Sequence, residues 1–238
     1  NARAMKEAGL NVLPSENLPQ QHSGDGGEVL RDSLGNPTGI FNENAMELIA
    51  KHIPANDAKS DSLALELAMK ACLRNGITSF QDAGSPRHVI DLFYKFKAAN
   101  KLSVRLYVML QLDRDLVNEW FEKGPDIDPS NRLTIRSVKV YCDGALGSRG
   151  AWLLEPYSDR PDFSGLPLIS MDTVLAVARA GLQHGFQICT HAIGDRANRE
   201  ILDRYELAFT EYPDLAKDHR YRIEHAQHIH PDDIPRFG

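Results

Sequence analysis

Three side chains in the second half of the chain contradict their surroundings. They are Lys139 in "RSVKVYCDGALGSRG" (residues 136–150), His191 in "FQICTHAIGD" and His225 in "RYRIEHAQHI". Val138, Val140 and Cys142 form one apolar face of a strand and Lys139 points to the other. A strand buried on both faces would put that ammonium inside a core, where lysine is rare unless it is paired or chemically used. By strand alternation Gln187, Cys189 and His191 share one face, and Tyr221, Ile223 and His225 share another, so each histidine is expected to point into a common lumen. Adjacent strands run about 4.8 Å apart. Two histidines at matching heights on adjacent strands can therefore hold one metal ion at about 2.0–2.1 Å from each ring nitrogen. Taken singly, each has a plainer reading: a hydrogen-bonded core histidine, or a lysine paired with Asp143. Three such residues on successive strand ends favour a metal or catalytic site. Asp143, Arg149 and Asp195 lie in loops next to these strands. They are candidates to orient ligands or bind substrate, with loop hydrogen bonding, or for Asp195 helix capping, as the alternative. His228 is ambiguous, and the remaining histidines receive no role.

These residues need strands to carry them. Residues 1–60 read as an irregular segment rich in Gly, Pro, Asn and Ser, with "GGEVLRDSLGNPTGIF" as a β-hairpin turning at Gly35-Asn36-Pro37 and "NENAMELIAKHIP" as a short helix stopped by Pro54. From residue 61 the rhythm becomes regular. "SDSLALELAMKACLRNG" is an amphipathic helix capped by Ser60 or Asp61 and stopped at Gly76. Strand and helix then alternate: "ITSFQDAG", "PRHVIDLFYKFKAAN", "LSVRLYVMLQL", "RDLVNEWFEKG", "IRSVKVYCDG", a long loop over 145–168, "SMDTVLAVARAGLQHG" with Ser170 as cap and Gly185 as stop, "FQICTHAIGD", "RANREILDRYELAFTEY" and "RYRIEHAQHI". Five strands alternating with helices predict an α/β fold with a parallel sheet, either doubly wound or part of a (β/α)8 barrel. No G-x-G-x-x-G follows the first strand and no P-loop occurs, which weighs against a nucleotide fold. In a barrel, chemistry sits at the C-terminal strand ends, where the unusual residues fall.

Composition sets the outer limits. The chain has 238 residues, 42% hydrophobic and 25% charged, an ordinary globular balance. A net charge of −6 without a basic stripe argues against nucleic acid. No apolar run approaches the roughly 18–20 residues of a membrane span. Cys72, Cys142 and Cys189 are widely spaced and odd in number, which reads as reduced core thiols in a cytoplasmic protein. The chain begins inside a helical pattern without an initiator Met and stops as a helix starts, so a piece of a longer chain is expected.

"VKVYCDGALGSRGA", "THAIGDRA" and "RIEHAQHIHPDDIPRF", together with "GGEVLRDSLGNPTGIF" and "NGITSFQDAG", resemble the amidohydrolase superfamily, specifically its amidohydrolase-3 branch, which includes N-substituted formamide deformylase. The resemblance covers essentially the whole chain. It implies a (β/α)8 TIM barrel with one or two divalent metals, zinc foremost, held by an H-x-H on strand 1, a carboxylated lysine on strand 4, one histidine each on strands 5 and 6, and an aspartate on strand 8. Lys139, His191 and His225 match the ligands of strands 4, 5 and 6. The five strands are then barrel strands 2 to 6 of a partial barrel over 61–238, preceded by the hairpin segment over 1–60. No H-x-H occurs before Lys139; the single instance, His228-Ile229-His230, lies after it.

The reaction implied is hydrolysis of a non-peptide, amide-type C–N bond of a small molecule by a metal-activated hydroxide, with the strand-8 aspartate moving the proton. Burial lowers a lysine pKa from about 10.4 and frees a neutral amine to take up CO₂ as a carbamate. With the H-x-H and the aspartate missing, this chain is expected to be inactive alone and Lys139 carboxylated partly or not at all. Edge strands without neighbours predict self-association, as a dimer across the open side. Two other readings stay open: a Schiff-base lyase using Lys139, and a folded fragment without catalysis.

Overall fold

The computed structural model describes residues 2–10 and 27–238; part of the expected irregular segment, residues 11–26, lies outside the described residues. After helix α1 (Ala2–Glu7) come the hairpin strands β1 (Gly27–Arg31) and β2 (Pro37–Glu43), which pair antiparallel. Their turn is held by Asp32, whose Oδ1 accepts from the backbone N–H of Leu34 and Asn36 at 2.9 and 2.8 Å, while Gly35 takes the left-handed φ of 82°. A short helix α2 (Glu47–Ala50) follows, in the stretch that Pro54 closes.

The regular region begins with α3 (Ala58–Arg74). Its cap is Asp57 rather than Ser60 or Asp61: the Asp57 carboxylate accepts from the Ser60 N–H at 2.7 Å. The chain is still extended at Asp57, with φ −82° and ψ 160°, and it is there that the first free N–H groups need an acceptor. Then come β3 (Ser79–Ser85), α4 (Arg87–Ala98), β4 (Arg105–Gln111), α5 (Arg114–Lys123), a two-residue β5 (Asp126–Ile127), β6 (Leu133–Tyr141), α6 (Met171–His184), β7 (Gln187–Ala192), α7 (Asp195–Glu211) and β8 (Arg222–His225). Ser170 and Gly185 bound α6 as expected: the hydroxyl accepts from the Thr173 N–H and Gly185 takes φ 75°.

The five long strands pair parallel in the order β3-β4-β6-β7-β8, and β5 adds antiparallel to β6. The sheet curls into a half-barrel. Arg222 on the last strand donates to Gln81 on the first at 2.7 Å, so the two edge strands touch through their side chains across the concave face.

The convex face, under the helices, is dry. Val108, Ile135, Val138, Val140, Cys142, Ile188 and Ala192 have no exposed surface and pack with Val174, Ala178, Ala197 and Ile201 of α6 and α7. One irregularity makes this face continuous. Ile135 pairs with Val108 and Ser137 with Met109, so β6 carries Arg136 as an extra residue. A bulge of this kind reverses the alternation. It leaves Leu133 and Ile135 on the same side as Val138 and Val140, and turns Ser137, Lys139 and Tyr141 toward the lumen. Among the described residues all three cysteines are free, Cys142 and Cys189 buried and Cys72 partly so. No described helix is long and apolar enough to cross a membrane.

Candidate metal centre

Lys139 stands on the concave face of β6, opposite Gln111 of β4 and Cys189 of β7. It is 4% exposed. Its stem runs past Gly84, where a β-carbon would sit 3.7 Å from the lysine Cγ. Its Nζ donates to the Val140 carbonyl at 3.2 Å and lies 3.5 Å from the Tyr141 ring centroid. Burial lowers the Lys139 pKa to about 8, against the opposing pull of Glu224 and Cys189. A neutral amine is therefore accessible near physiological pH. No ion pair joins Lys139 to Asp143, so the simple paired-lysine reading does not describe this side chain.

His191 is the penultimate residue of β7 and pairs with Tyr141 on one side and Glu224 on the other. Its ring is 4.5 Å from the His225 ring, centroid to centroid, in an edge-on arrangement at 70°. Burial, the Lys139 charge and His225 depress its pKa to about 4, so the imidazole is neutral and a lone pair is available. His191 Nε2 is buried without a hydrogen-bond partner. The nearest carboxylate oxygen, Asp143 Oδ1, is 3.6 Å away, beyond hydrogen-bond reach.

His225 arrives by a route that strand alternation does not give. Tyr221 and Ile223 pack with the helix-side core, whereas Arg222 bonds Gln81 across the lumen. Plain alternation would therefore send His225 to the helix side, contrary to the expected shared lumen face with Tyr221 and Ile223. Instead the backbone turns left-handed at two successive residues, His225 (φ 75°) and Ala226 (φ 44°). The turn carries the ring over the strand end toward His191. Positive φ in non-glycine residues costs on the order of 1–3 kcal/mol and gathers at functional sites.

The loop residues fall into different tasks. Asp143 is fully buried, and its carboxylate accepts from three backbone N–H groups: Ile193 at 2.9 Å, Gly194 at 2.8 Å and Trp152 at 2.9 Å. It thereby staples the loop after β6 to the loop after β7, one turn from His191. Burial raises its pKa, partly offset by those three bonds. Arg149 forms a two-pronged ion pair with Asp159, at 3.1 and 2.7 Å, within the same long loop. Asp195 is the first residue of α7, not its cap; it accepts from the Leu154 N–H at 2.8 Å and holds the two loops together a second time. Gly194 permits this closeness, since a β-carbon there would overlap the Trp152 backbone.

Asn198 was not singled out from the sequence. It is fully buried, and its amide donates to Ala192, Gly194 and His228 carbonyls at 3.3, 2.8 and 3.1 Å, tying the chain after β7 to the chain after β8. Its signal was present: an asparagine on the apolar face of α7 in line with Ile201, Leu202 and Tyr205. His228 serves this tether through its carbonyl and pairs backbone N–H to Ile193.

Among the described residues no group of three or more His, Cys, Asp or Glu is placed to hold a metal ion. What the site offers is two adjacent imidazoles, one with an unpartnered buried nitrogen, and a lysine amine on the same concave face. This donor set fits partial ligation of a divalent cation.

A parallel half-barrel with crossover helices is part of the architecture of a (β/α)8 barrel, and sequence comparison gives the family. The chain belongs to the amidohydrolase family, whose model matches residues 5–238. It is 32% identical over its whole length to Protein LONG AFTER FAR-RED 3 of Arabidopsis thaliana, covering 41% of that protein. It is 29% identical over 99% of its length to YtcJ of Bacillus subtilis, named as an amidohydrolase, covering 42% of it. The chain thus spans less than half the length of these relatives. Crystal structures of uncharacterized metal-dependent hydrolases from Pyrococcus furiosus (TM-score 0.72, 26% identity, covering 100% of this chain and 45% of that one) and Pyrococcus horikoshii (TM-score 0.71, 26% identity, 91% and 41%) share the fold.

Proposed function

We propose that this chain supplies the Lys139–His191–His225 ligand face of a metal-dependent hydrolase that cleaves non-peptide C–N bonds of small amide-type substrates, with zinc as the metal. The observation that carries this reading is the buried, unpartnered Nε2 of His191 beside the His225 ring. A buried polar nitrogen without a partner costs about 1–3 kcal/mol, and a cation would satisfy it. The family membership and the metal-dependent Pyrococcus hydrolases support the same reading.

When bound, a divalent cation supplies Lewis-acid polarisation and lowers the pKa of water from 15.7 toward about 7. The protein's own residues set the conditions for it. His191 is kept neutral by burial and by the Lys139 charge, so it donates a lone pair rather than repelling a cation. Lys139 sits where its amine loses its proton near pH 8. Asp143 and Asn198 fix the backbone just past His191, at residues 192–194, and Asn198 also holds the His228 carbonyl, three residues past His225. These residues number too few to complete a catalytic set, and we propose that the chain alone binds a cation without turning over substrate. The exposed edges β3 and β8 support self-association across the open side, and the domain division at residues 60/61 belongs to the same proposal.

Titration of the chain with Co²⁺, followed by its visible spectrum, tests the reading. Binding that is lost in His191→Ala and His225→Ala and weakened in Lys139→Ala is the expected result. Equal binding by all three variants would overturn it.

A further inference from the structure

The hairpin ends in a residue with an unusual backbone and an unusual destination. Glu43, the last residue of β2, has φ 51° and ψ −129°, a conformation that L side chains rarely adopt. It directs the carboxylate into the loop after β6, 102 residues away in sequence, where Oε1 accepts from the Ala145 N–H at 3.4 Å and the Ser148 hydroxyl at 3.2 Å. The hole it fills exists because two residues lack a side chain. A β-carbon on Gly144 would overlap the Glu43 carboxylate, all three nearest atoms being Glu43 atoms, and one on Gly150 would overlap it too. Gly144 and Gly150 are themselves joined, N–H to carbonyl, at 3.1 Å, which closes the loop around the carboxylate. Two further ties run from hairpin to loop: Asn42 to the Ser148 carbonyl at 3.3 Å, and buried Glu28 to Arg160 at 3.1 Å.

We propose that Glu43 is a positioning residue for the candidate metal centre: its carboxylate, seated in the Gly144–Gly150 hole, locks the 144–150 loop, and Asp143, the residue just before that loop, holds the backbone beside His191. The inference rests on the metal-site reading for its purpose and on the hairpin–loop geometry for its substance. The path is short and continuous. Glu43 fixes the 144–150 loop, Asp143 precedes that loop directly, and the Asp143 carboxylate grips Ile193 and Gly194, two and three residues past His191. The hairpin, outside the half-barrel sheet, thereby becomes part of the site's support.

The test uses Glu43→Ala, which empties the hole, and Gly144→Ala, which keeps Glu43 but closes the hole against it. Three readouts are compared with wild type: amide exchange of Gly150 and Trp152, the ring resonances of His191 with those of distant His219 as control, and Co²⁺ affinity. Each variant is expected to speed exchange at Gly150 and Trp152 at least tenfold, to shift the His191 ring resonances without moving His219, and to weaken Co²⁺ at least tenfold. The double variant should be no worse than either single one, because both remove the same contact. Unchanged loop exchange and unchanged His191 resonances in the single variants would overturn the proposal, as would additive effects. If Glu43→Ala does not fold, Gly144→Ala carries the same decision. If wild type binds no Co²⁺, the metal reading fails by itself, while exchange and ring resonances still decide whether Glu43 positions the loop.

Discussion

Ile188 and His191 lie three residues apart on β7 and face opposite environments. Ile188 points to the convex side, has no exposed surface, and meets the helix layer. His191 points to the concave side among Lys139, Tyr141 and His225, with a buried nitrogen that nothing bonds. The whole sheet repeats this division. The convex face is made of side chains that gain free energy by leaving water, about 25 cal/mol per Å² of apolar surface. The concave face holds exposed Gln81, half-buried Tyr107, His191 and Arg222, and buried Lys139 and Gln187; removing such polar groups from water costs free energy unless partners are found. Some are found: Tyr107 donates to Gln187 at 2.7 Å, and Arg222 to Gln81. His191 Nε2, at the C-terminal end of β7, is left without a partner. One face carries stability and the other carries the candidate chemistry.

The sharpest way to break this division is at Asp143, which belongs to the site's end of the barrel yet is expected to behave as a structural residue. Asp143→Ala leaves three buried N–H groups without an acceptor, each worth about 1–3 kcal/mol, so a loss of about 4–6 kcal/mol in urea unfolding is expected, the largest single effect predicted. A loss below about 1 kcal/mol would show that the loops after β6 and β7 do not depend on this staple.

The next comparison sets Ile188→Ala against His191→Ala. Truncating the isoleucine leaves a cavity in a dry core and is expected to cost about 3 kcal/mol while leaving Co²⁺ affinity within about twofold in the folded fraction. Truncating the histidine removes no hydrogen bond at Nε2 and is expected to cost within about 1 kcal/mol while abolishing Co²⁺ binding. Urea melts and cobalt titrations on both variants read the two axes separately. If both variants lose stability equally and both keep the cation, the two faces are not divided as described.

Much of this division is legible in the sequence because it is periodic. Val138, Val140 and Cys142 alternate with Lys139, the Ser170 cap and Gly185 stop frame α6, and turn residues mark the hairpin. What could not be read is whatever breaks a period or joins distant segments. The Arg136 bulge reverses the parity of β6, and nothing in "LTIRSVKVY" marks which residue is extra. The His225 turn uses positive φ at two residues that are not glycine. The Glu43 contact spans about a hundred residues, and its hole is visible only once Gly144 and Gly150 face the hairpin. The two-residue β5 is too short to show a pattern. Asn198 is the exception, a polar residue on an apolar helix face that a closer reading of periodicity would have flagged.

The concave face should also reveal itself by titration. The His191 pKa of about 4 in the folded chain lies below its ordinary 6.5, because burial and the Lys139 charge disfavour the imidazolium. As pH falls through 6.5, the unfolded chain takes up this proton first. Stability is therefore undiminished by this group above about pH 6.5 and is lost as pH falls from there toward 4, because the folded chain excludes the proton that the unfolded chain binds. The expected loss is on the order of 2–3 kcal/mol, seen as the difference between the pH profiles of metal-free wild type and His191→Ala in urea unfolding. Profiles that run parallel over this range would place the ring in a more solvated setting than the structure shows.

The smallest expected effect lies on the convex side, at the start of α3, and it separates a cap seen in structure from one inferred from residue type. Asp57 accepts from the Ser60 N–H at 2.7 Å, where a carboxylate also meets the positive end of the helix dipole. Ser60 and Asp61 lie inside the first turn: the donor in this cap is the Ser60 backbone N–H, which any residue but proline supplies, and Asp61 can add to it through charge alone. Asp57→Ala is expected to cost about 1 kcal/mol, Ser60→Ala to be nearly neutral, and Asp61→Ala to cost a few tenths of a kcal/mol. α3 packs Met69 against the main core, so fraying of its first turn should appear as faster amide exchange near residues 60–63 before any change at the candidate site. Equal effects from Asp57→Ala and Ser60→Ala would return the cap to Ser60. Loss of Co²⁺ binding in Asp57→Ala would be the more serious result, since it would mean that the helix layer and the concave site are coupled through the sheet rather than divided by it.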